Sequence, residues 1–552
     1  MGLQAPLITP KPGVRAAAAP SRPVDADRRA LATVLIALAT LAAGGAPEVA
    51  PSGPERPRAF VETAASPVTG KTIALRAGGD LQAALDAARP GDTIALPPGA
   101  SFRGPFTLPK KAGDGWIVVR TASAGLPPAG TRVTPADAAS MPRLESAAGS
   151  AIQTAPGAHH YRFVGLEIRP TKGTFLYNLV QLGDRESRAE DTAHHIIFDR
   201  CYLHGDRDKG TRRGIALNSR HTAVIDSLLA DFKESGADTQ ALCGWNGPGP
   251  FAIVNNRLEA GGENVMFGGA NPSIPGLVPS DIEIRHNLFT KPLAWKAGTP
   301  EYQGTSWTVK NLFELKNARR VLVDGNLFEH NWAQAQTGFA ILYTVRNEDG
   351  RVPWAAVEDV TFTNNIVRGV GAGVNILGRD AGPPGKSGLT RRLLIANNLF
   401  EDVGKGWGGS GILFQALEGV SDLVIEHNTG LQSGSILMAE GIPHERFVFR
   451  DNIVLHNEYG INGSGTASGS STLQTFFPNA IVKGNVIVGG TPSRYPAGNA
   501  FPANPGEVGF KDAAHDDYSL APKSRYRGTG TGGSDPGADM QALRKAMAEA
   551  MP

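Results

Sequence analysis

The sequence has little of what usually staples, charges or anchors a protein. Its two cysteines, Cys201 and Cys243, are too few for a disulfide framework and are not spaced as a CxxC metal site. They read as buried apolar thiols. The formal net charge of +2 gives no bulk electrostatic reason to bind nucleic acid, and none is expected as a partner. The apolar run "ALATVLIALATLAA", Ala30 to Ala43, has 14 residues, short of the roughly 20 that a membrane-spanning helix needs. It follows Arg28-Arg29 and precedes small residues and the Pro-rich "GGAPEVAPSGPERP", the organisation of an export signal with a long leader. The arginine pair hints at twin-arginine export. Residues 1–46 are therefore expected to be an export signal and 47–70 a Pro-rich linker. That implies a secreted or periplasmic protein with no stable membrane insertion after cleavage; an uncleaved anchor at residues 30–43 is the alternative.

What is present in quantity is glycine and proline, 68 and 40 residues, in a chain that is 41% hydrophobic. That composition suits a turn-rich β architecture with a large core. One short amphipathic helix is predicted first: Asp80 caps a segment with Leu81, Ala84 and Leu85 on one face, and Pro90-Gly91 ends it before a strand at Thr93–Leu96. A lone helix ahead of a long run of strands reads as a lid on something open-ended.

That something is a repeat. The pattern apolar, x, apolar, x, x, Asn recurs up to Asn256, Asn287, Asn326, Asn365, Asn398, Asn428, Asn452 and Asn485, with gaps of 31, 39, 39, 33, 30, 24 and 33 residues. Elastic spacing round a constant unit fits a coil of three short strands joined by variable loops better than a leucine-rich or propeller repeat. Asparagine tolerates the left-handed conformation of a sharp turn, and its amide can bond to the same position one coil above and below, giving an asparagine ladder. The predicted fold class is all-β: a single parallel β-helix solenoid over 71–525, with an N-terminal capping helix and a tail at 526–552 carrying a short helix.

These features resemble the pectate-lyase-like right-handed parallel β-helix superfamily. The resemblance covers about Lys71 to Leu520, including the capping helix and the closing "DDYSLAPKSRYRGTGTGGSDPGAD". The fold hosts lyases, hydrolases, epimerases, esterases and adhesins, so activity has to be argued from the site.

A short strand precedes each ladder strand: "LVQLGD", "IALNSR", "NVMFGG", "LFELKN", "ILYTVR", "VNILGR", "ILFQAL" and "SILMAE". Stacked in register, these form one parallel sheet whose outer face carries Glu314, Lys316, Thr344, Arg346, Arg379, Gln415 and Glu440. Lys316 and Arg346 fall at equivalent positions in consecutive coils. A neighbouring cation would lower the lysine's pKa and make it a base, while an arginine can clamp a carboxylate. That is equipment for abstracting the C5 proton of a uronic acid. The stretch "ELKNARRVLVDGN" also resembles the lysine-bearing coil of polysaccharide lyase family six, the alginate and dermatan lyases, which implies a base role for Lys316 and an assisting role for Arg346. The family's Lys-Ser-Gly core reads Lys316-Asn317-Ala318 here, and its Arg-His is missing. Signatures of polygalacturonases and pectate lyases are absent.

The expected function is thus an exported lyase for an acidic polysaccharide. Two readings stay open beside it: a glycoside hydrolase with a carboxylate pair drawn from Glu263, Glu314, Asp380, Glu418 and Glu440, and a non-catalytic carbohydrate-binding protein in which Lys316 and Glu314 form only a surface salt bridge. Trp245, Trp295, Trp332, Trp354 and Trp407 are candidates for stacking on sugar rings. The glycine-rich "EAGGENVMFGGANP" places Glu263 and Asn264 where backbone would lie close to a ligand. No cofactor is required by any motif. Ca²⁺ is a candidate at Asp184, Glu186, Glu190 and Asp191, and His159-His160 and His194-His195 read as exposed loop histidines.

Overall fold

The computed structural model describes residues 51–65, 68–382 and 385–548. The segment read as an export signal lies outside the described residues, and among those no helix is long and apolar enough to cross a membrane. Three long parallel sheets account for the architecture. Sheet 1 has 14 strands from Thr72–Ala74 to Ile481–Lys483, sheet 2 has 13 from Ser101–Arg103 to Val486–Val488, and sheet 3 has 12 from Phe106–Leu108 to Ile461–Gly463. The chain visits sheets 1, 2 and 3 in turn, and each strand pairs with its equivalent in the next coil, as in Val321↔Val360 and Val360↔Leu393. This is a right-handed parallel β-helix, the hand that parallel crossovers take.

The repeating asparagines sit at the corner between sheets 1 and 2. Asn287 donates from its backbone N and from Nδ2 to Asn326 Oδ1, both at 3.0 Å, and Asn326 does the same to Asn365 at 2.9 and 3.0 Å. The row runs on through Asn398, Asn428, Asn452 and Asn485 to Asn499. These residues do not adopt the left-handed conformation expected of them. The residue before each one does, as at Asn255, His286, Gly325 and Asn364, which leaves the ladder side chain free to point inward.

Both ends of the helix are closed. The helix Leu81–Ala87 is capped by Asp80, buries Leu81, Ala84 and Leu85, and is tied to the first coil by Gln82 bonding both backbone groups of Thr107. At the other end the helix Ser470–Phe476, which the sequence pattern did not reveal, buries Leu473 and Phe476. The C-terminal helix Met540–Met547 packs Met540, Leu543 and Met547 against Leu288, Leu327, Ile366 and Leu399 of sheet 2.

The Pro-rich stretch packs along sheet 1. The backbone N of Ser52, Glu55 and Arg58 donates to Asp422, Asp359 and Asp281 at 3.0, 3.0 and 2.9 Å, aspartates in alternate strands of that sheet. Each donor follows a proline: Pro51, Pro54 and Pro57. A polyproline II chain rises about 9.3 Å in three residues, close to two strand spacings of about 4.8 Å, so the proline period matches the coils. Further along, Val61 is buried against Ile197, Ala223 and Ala252, and Arg162 Nη1 donates to the carbonyls of Thr63 and Ala64.

Candidate active site

The outer face of sheet 3 brings polar side chains from successive coils together. Register aligns Asn178, Arg213, Gln240, Glu263 and Asn311 in one row, and Cys243, Met266 and Glu314 in the next. Hydrogen bonds link the first row: Arg213 donates to Asn178 Oδ1 and Gln240 Oε1, each at 3.0 Å, and Gln240 Nε2 donates to Glu263 Oε2 at 2.7 Å. Glu314 accepts from Asn311 Nδ2 at 3.2 Å and from Thr344 Oγ1 at 2.8 Å. Two lysines cover the pair of glutamates. Lys310 Nζ lies 3.6 Å from Glu263 Oε1 and is also paired with Asp238; Lys316 Nζ lies 3.9 Å from Glu314 Oε1. The glutamates are buried, and the lysines reach the surface with side chains 17% and 19% exposed.

Burial, reinforced by the charges of Glu314 and Asp238, raises the Glu263 pKa to about 7, against the opposing pull of Lys310 and Gln240. Its Oε1 is buried without a hydrogen-bond partner. Lys316 moves the other way from expectation. Burial pulls its pKa down, but Glu314, Glu263, Glu348 and Asp238 outweigh that and hold it above the ordinary lysine value. A lysine so placed stays an ammonium at neutral pH and is an acid or a charge-neutraliser there, not a base. Cys243, beneath this network, is a buried thiol pushed up to about 11 by burial.

The glycine-rich stretch has a different role from the one its sequence suggested. The fully buried Lys291 Nζ donates to the carbonyls of Ala260, Gly261 and Gly262 at 2.7, 2.9 and 2.8 Å, and to Asn264 Oδ1 at 3.2 Å. Burial lowers its pKa to about 7, with Glu263 opposing. A Cβ on Gly261 or Gly262 would stand 2.7 or 2.5 Å from the carbonyl oxygen of Thr308 or Thr239. Asn264 faces inward, donating to the carbonyls of Leu258 and Thr290, and is a structural residue with no substrate-facing atom.

Other expected site residues are dispersed. Arg346 is not level with Lys316, because the register that pairs Leu315 with Tyr343 sets Thr344 beside Lys316, and its Nη1 points to Asp380 Oδ1 at 3.6 Å. Arg379 lines a separate cavity of about 370 Å³ with Arg391, Arg392 and Arg446. Gln415 and Glu440 lie three and four strands from Glu314 along sheet 3, roughly 14 and 19 Å away at the usual strand spacing. Trp295 and Trp332 are buried with Val309, packed against Trp307 and Trp407, and the Lys233 ammonium sits over Trp295 and Trp307; they pin loops to the wall. Trp354 is half-buried and donates to the Leu277 carbonyl, while Trp407 donates to Asp402. Trp245 alone of the five borders the polar row, with Arg213 5.1 Å over its ring; Arg213 also lies 5.6 Å over the exposed Tyr177. The acidic loop forms no ligand set among the described residues, since Arg188 takes Asp191 and Glu190 and Glu186 accepts from the Asp184 amide.

Sequence reasoning missed Gln240, Lys310, Asn311 and Arg213. "QALCG", the strand Gln240–Gly244, precedes the ladder strand that leads to Asn256 as "NVMFGG" precedes the one that leads to Asn287, and that parallel was the available signal.

No protein-family model matches the sequence, and no curated protein sequence matches it. Solved structures similar to it include a GH87 α-1,3-glucanase from Streptomyces thermodiastaticus, 12% identical with a TM-score of 0.44, over 80% of this chain and 72% of that one. Another is a mannuronic acid specific polysaccharide family 6 lyase from human gut microbiota, 11% identical with a TM-score of 0.48, over 87% and 99%. A pectate lyase is 15% identical with a TM-score of 0.35, over 85% and 96%.

Proposed function

We propose that this is a polysaccharide-active enzyme for a uronic-acid-containing glycan, with its reaction centre at Glu263, Glu314, Lys310 and Lys316 on sheet 3. One observation carries the reading: two adjacent buried glutamates, one with its pKa raised to about 7, lie under two lysines that reach the surface. Cations that reach the surface over buried acids suit an anionic substrate. In β-elimination, Lys310 holds the uronate carboxylate and neutralises its charge, which acidifies the C5–H bond. A carboxylate that draws Lys310 outward uncovers Glu263, whose pKa near the working pH suits a general base. Glu263 takes the C5 proton, the C4–O4 bond breaks, a C4=C5 double bond forms, and Lys316 gives a proton to the departing O4. The base is therefore reassigned from Lys316 to Glu263.

A second reading is favoured by the unequal pair itself. A carboxyl group with a raised pKa beside a hydrogen-bonded carboxylate on the next coil is the asymmetry of a glycoside hydrolase. Incubating the purified protein with acidic and neutral polysaccharides separates the readings. Unsaturated products absorbing in the ultraviolet, formed from acidic glycans, support elimination; new reducing ends without unsaturation support hydrolysis. Binding without either product refutes catalysis.

A further inference from the structure

The two His-His pairs are not loop residues. His159-His160 opens the sheet 1 strand His159–Val164, and His194-His195 opens the next one, His194–Asp199. Register places His194 beside His159, so their rings stack at 4.7 Å and 3°. His160 stacks on His195 at 4.5 Å, and His195 on His221 at 4.5 Å. Trp116 stands edge-on to His160 at 5.2 Å. Within each pair the Nδ1 atoms are 2.7 Å apart. Donor atoms of His159, His160 and His194 all lie within 4.8 Å of one another.

The tautomer of His159 is fixed by its other nitrogen. Nε2 lies 3.0 Å from the Lys111 carbonyl oxygen, which only accepts, so Nε2 carries the hydrogen and Nδ1 presents a lone pair to the cluster. An imidazole anchored through one N–H to a backbone carbonyl, with the other nitrogen free to ligate, is the usual setting of a metal-bound histidine. Arg220 occupies the register position after His194 and bounds the cluster on that side.

We infer that His159, His160 and His194 form a binding site for a borderline transition-metal cation of the Zn²⁺, Ni²⁺ or Cu²⁺ class, linking two coils on sheet 1. All-imidazole donors suit these ions better than Ca²⁺ or Mg²⁺. With Zn–N of about 2.0–2.1 Å, tetrahedral ligand nitrogens stand about 3.3 Å apart, so the His159 and His160 nitrogens, 2.7 Å apart, separate by about 0.6 Å and the donors that stand up to 4.8 Å apart close in. Their hydrogen bond is replaced by metal bonds as the His160 proton moves to its Nε2. The site lies on a different sheet from the glutamates proposed for catalysis.

The test is a zinc titration of metal-stripped full-length protein without a polyhistidine tag, followed by calorimetry and by elemental analysis after gel filtration. The expected result is about one Zn²⁺ per chain and a higher unfolding temperature that EDTA reverses. His159→Gln and His194→Gln should each weaken binding more than about tenfold, and His515→Gln, on an exposed loop, should not. Failure of the wild type to retain zinc, or unchanged binding in both variants, overturns the site. Should the variants not fold, the visible spectrum of Co²⁺-loaded wild type decides. Intense bands of tetrahedral nitrogen-ligated Co²⁺ support the site, and the pale spectrum of the hydrated ion overturns it.

Discussion

Replacing Asn326 by alanine removes one rung from the middle of the asparagine row. Its Oδ1 accepts from the Asn287 backbone N–H and Nδ2, and its Nδ2 donates to Asn365 Oδ1, the Ile284 carbonyl and the Asp324 carbonyl. The substitution leaves the Asn287 N–H buried without that acceptor, a cost of about 1–3 kcal/mol, and forfeits side-chain bonds with a net worth of about 1 kcal/mol more. A destabilisation of about 2–4 kcal/mol is expected. Urea unfolding followed by circular dichroism measures it, since heating a long repeat protein is prone to irreversibility. Amide exchange at Asn287 should quicken with it. Asn499 ends the row and is half-buried, so Asn499→Ala should cost clearly less. A loss below about 1 kcal/mol at Asn326, with the Asn287 amide still protected, would show that the row does not carry the corner.

Further outcomes follow from the same geometry. Lys316→Ala should abolish turnover, and Lys316→Arg should be nearly as damaging, because a guanidinium that stays protonated cannot give a proton to the departing O4; wild-type kcat/KM in either variant would contradict the proton-donor role of Lys316. Lys291→Met leaves three backbone carbonyls and Asn264 without their donor and should lower stability by roughly 2–4 kcal/mol, read as a shift in the urea midpoint. Asp281, Asp359 and Asp422 hold the Pro-rich strap: burial raises their pKa values, but hydrogen bonds from Arg320, Arg392 and Arg446 and from the strap N–H groups lower them further. Folded-state values below the unfolded ones mean this contribution is complete above about pH 4 and lost as pH falls through the folded values. Proteolysis within residues 51–64 should therefore be slow at neutral pH and fast in stronger acid; equal rates would contradict the strap.

The coil repeat was legible because each rung bonds the next through the same amide, so asparagine recurs while the loops between are free to vary. The strands of sheet 3 were legible for the same reason, and they put Glu263, Glu314 and Lys316 on one face. What the sequence did not carry was direction and range. Arg346 was expected level with Lys316, but the register that pairs Leu315 with Tyr343 puts Thr344 there; Arg346 turns to Asp380 and Glu314 holds Lys316, which inverts the sign of the lysine's shift. Lys291 fills a carbonyl cradle 29 to 31 residues earlier in the chain, so the glycines read as a ligand-approach site until their partner was seen. The tryptophans Trp295 and Trp332 read as sugar platforms because exposure is not written in sequence.

The pH dependence of glycan cleavage by the wild type and by Glu263→Gln tests the reaction centre most directly. Wild-type kcat/KM should rise with pH through about 7 as Glu263 ionises, and Glu263→Gln should lose most activity together with that rise. A Glu263→Gln variant with wild-type rates and the same rise near neutral pH would contradict the assignment.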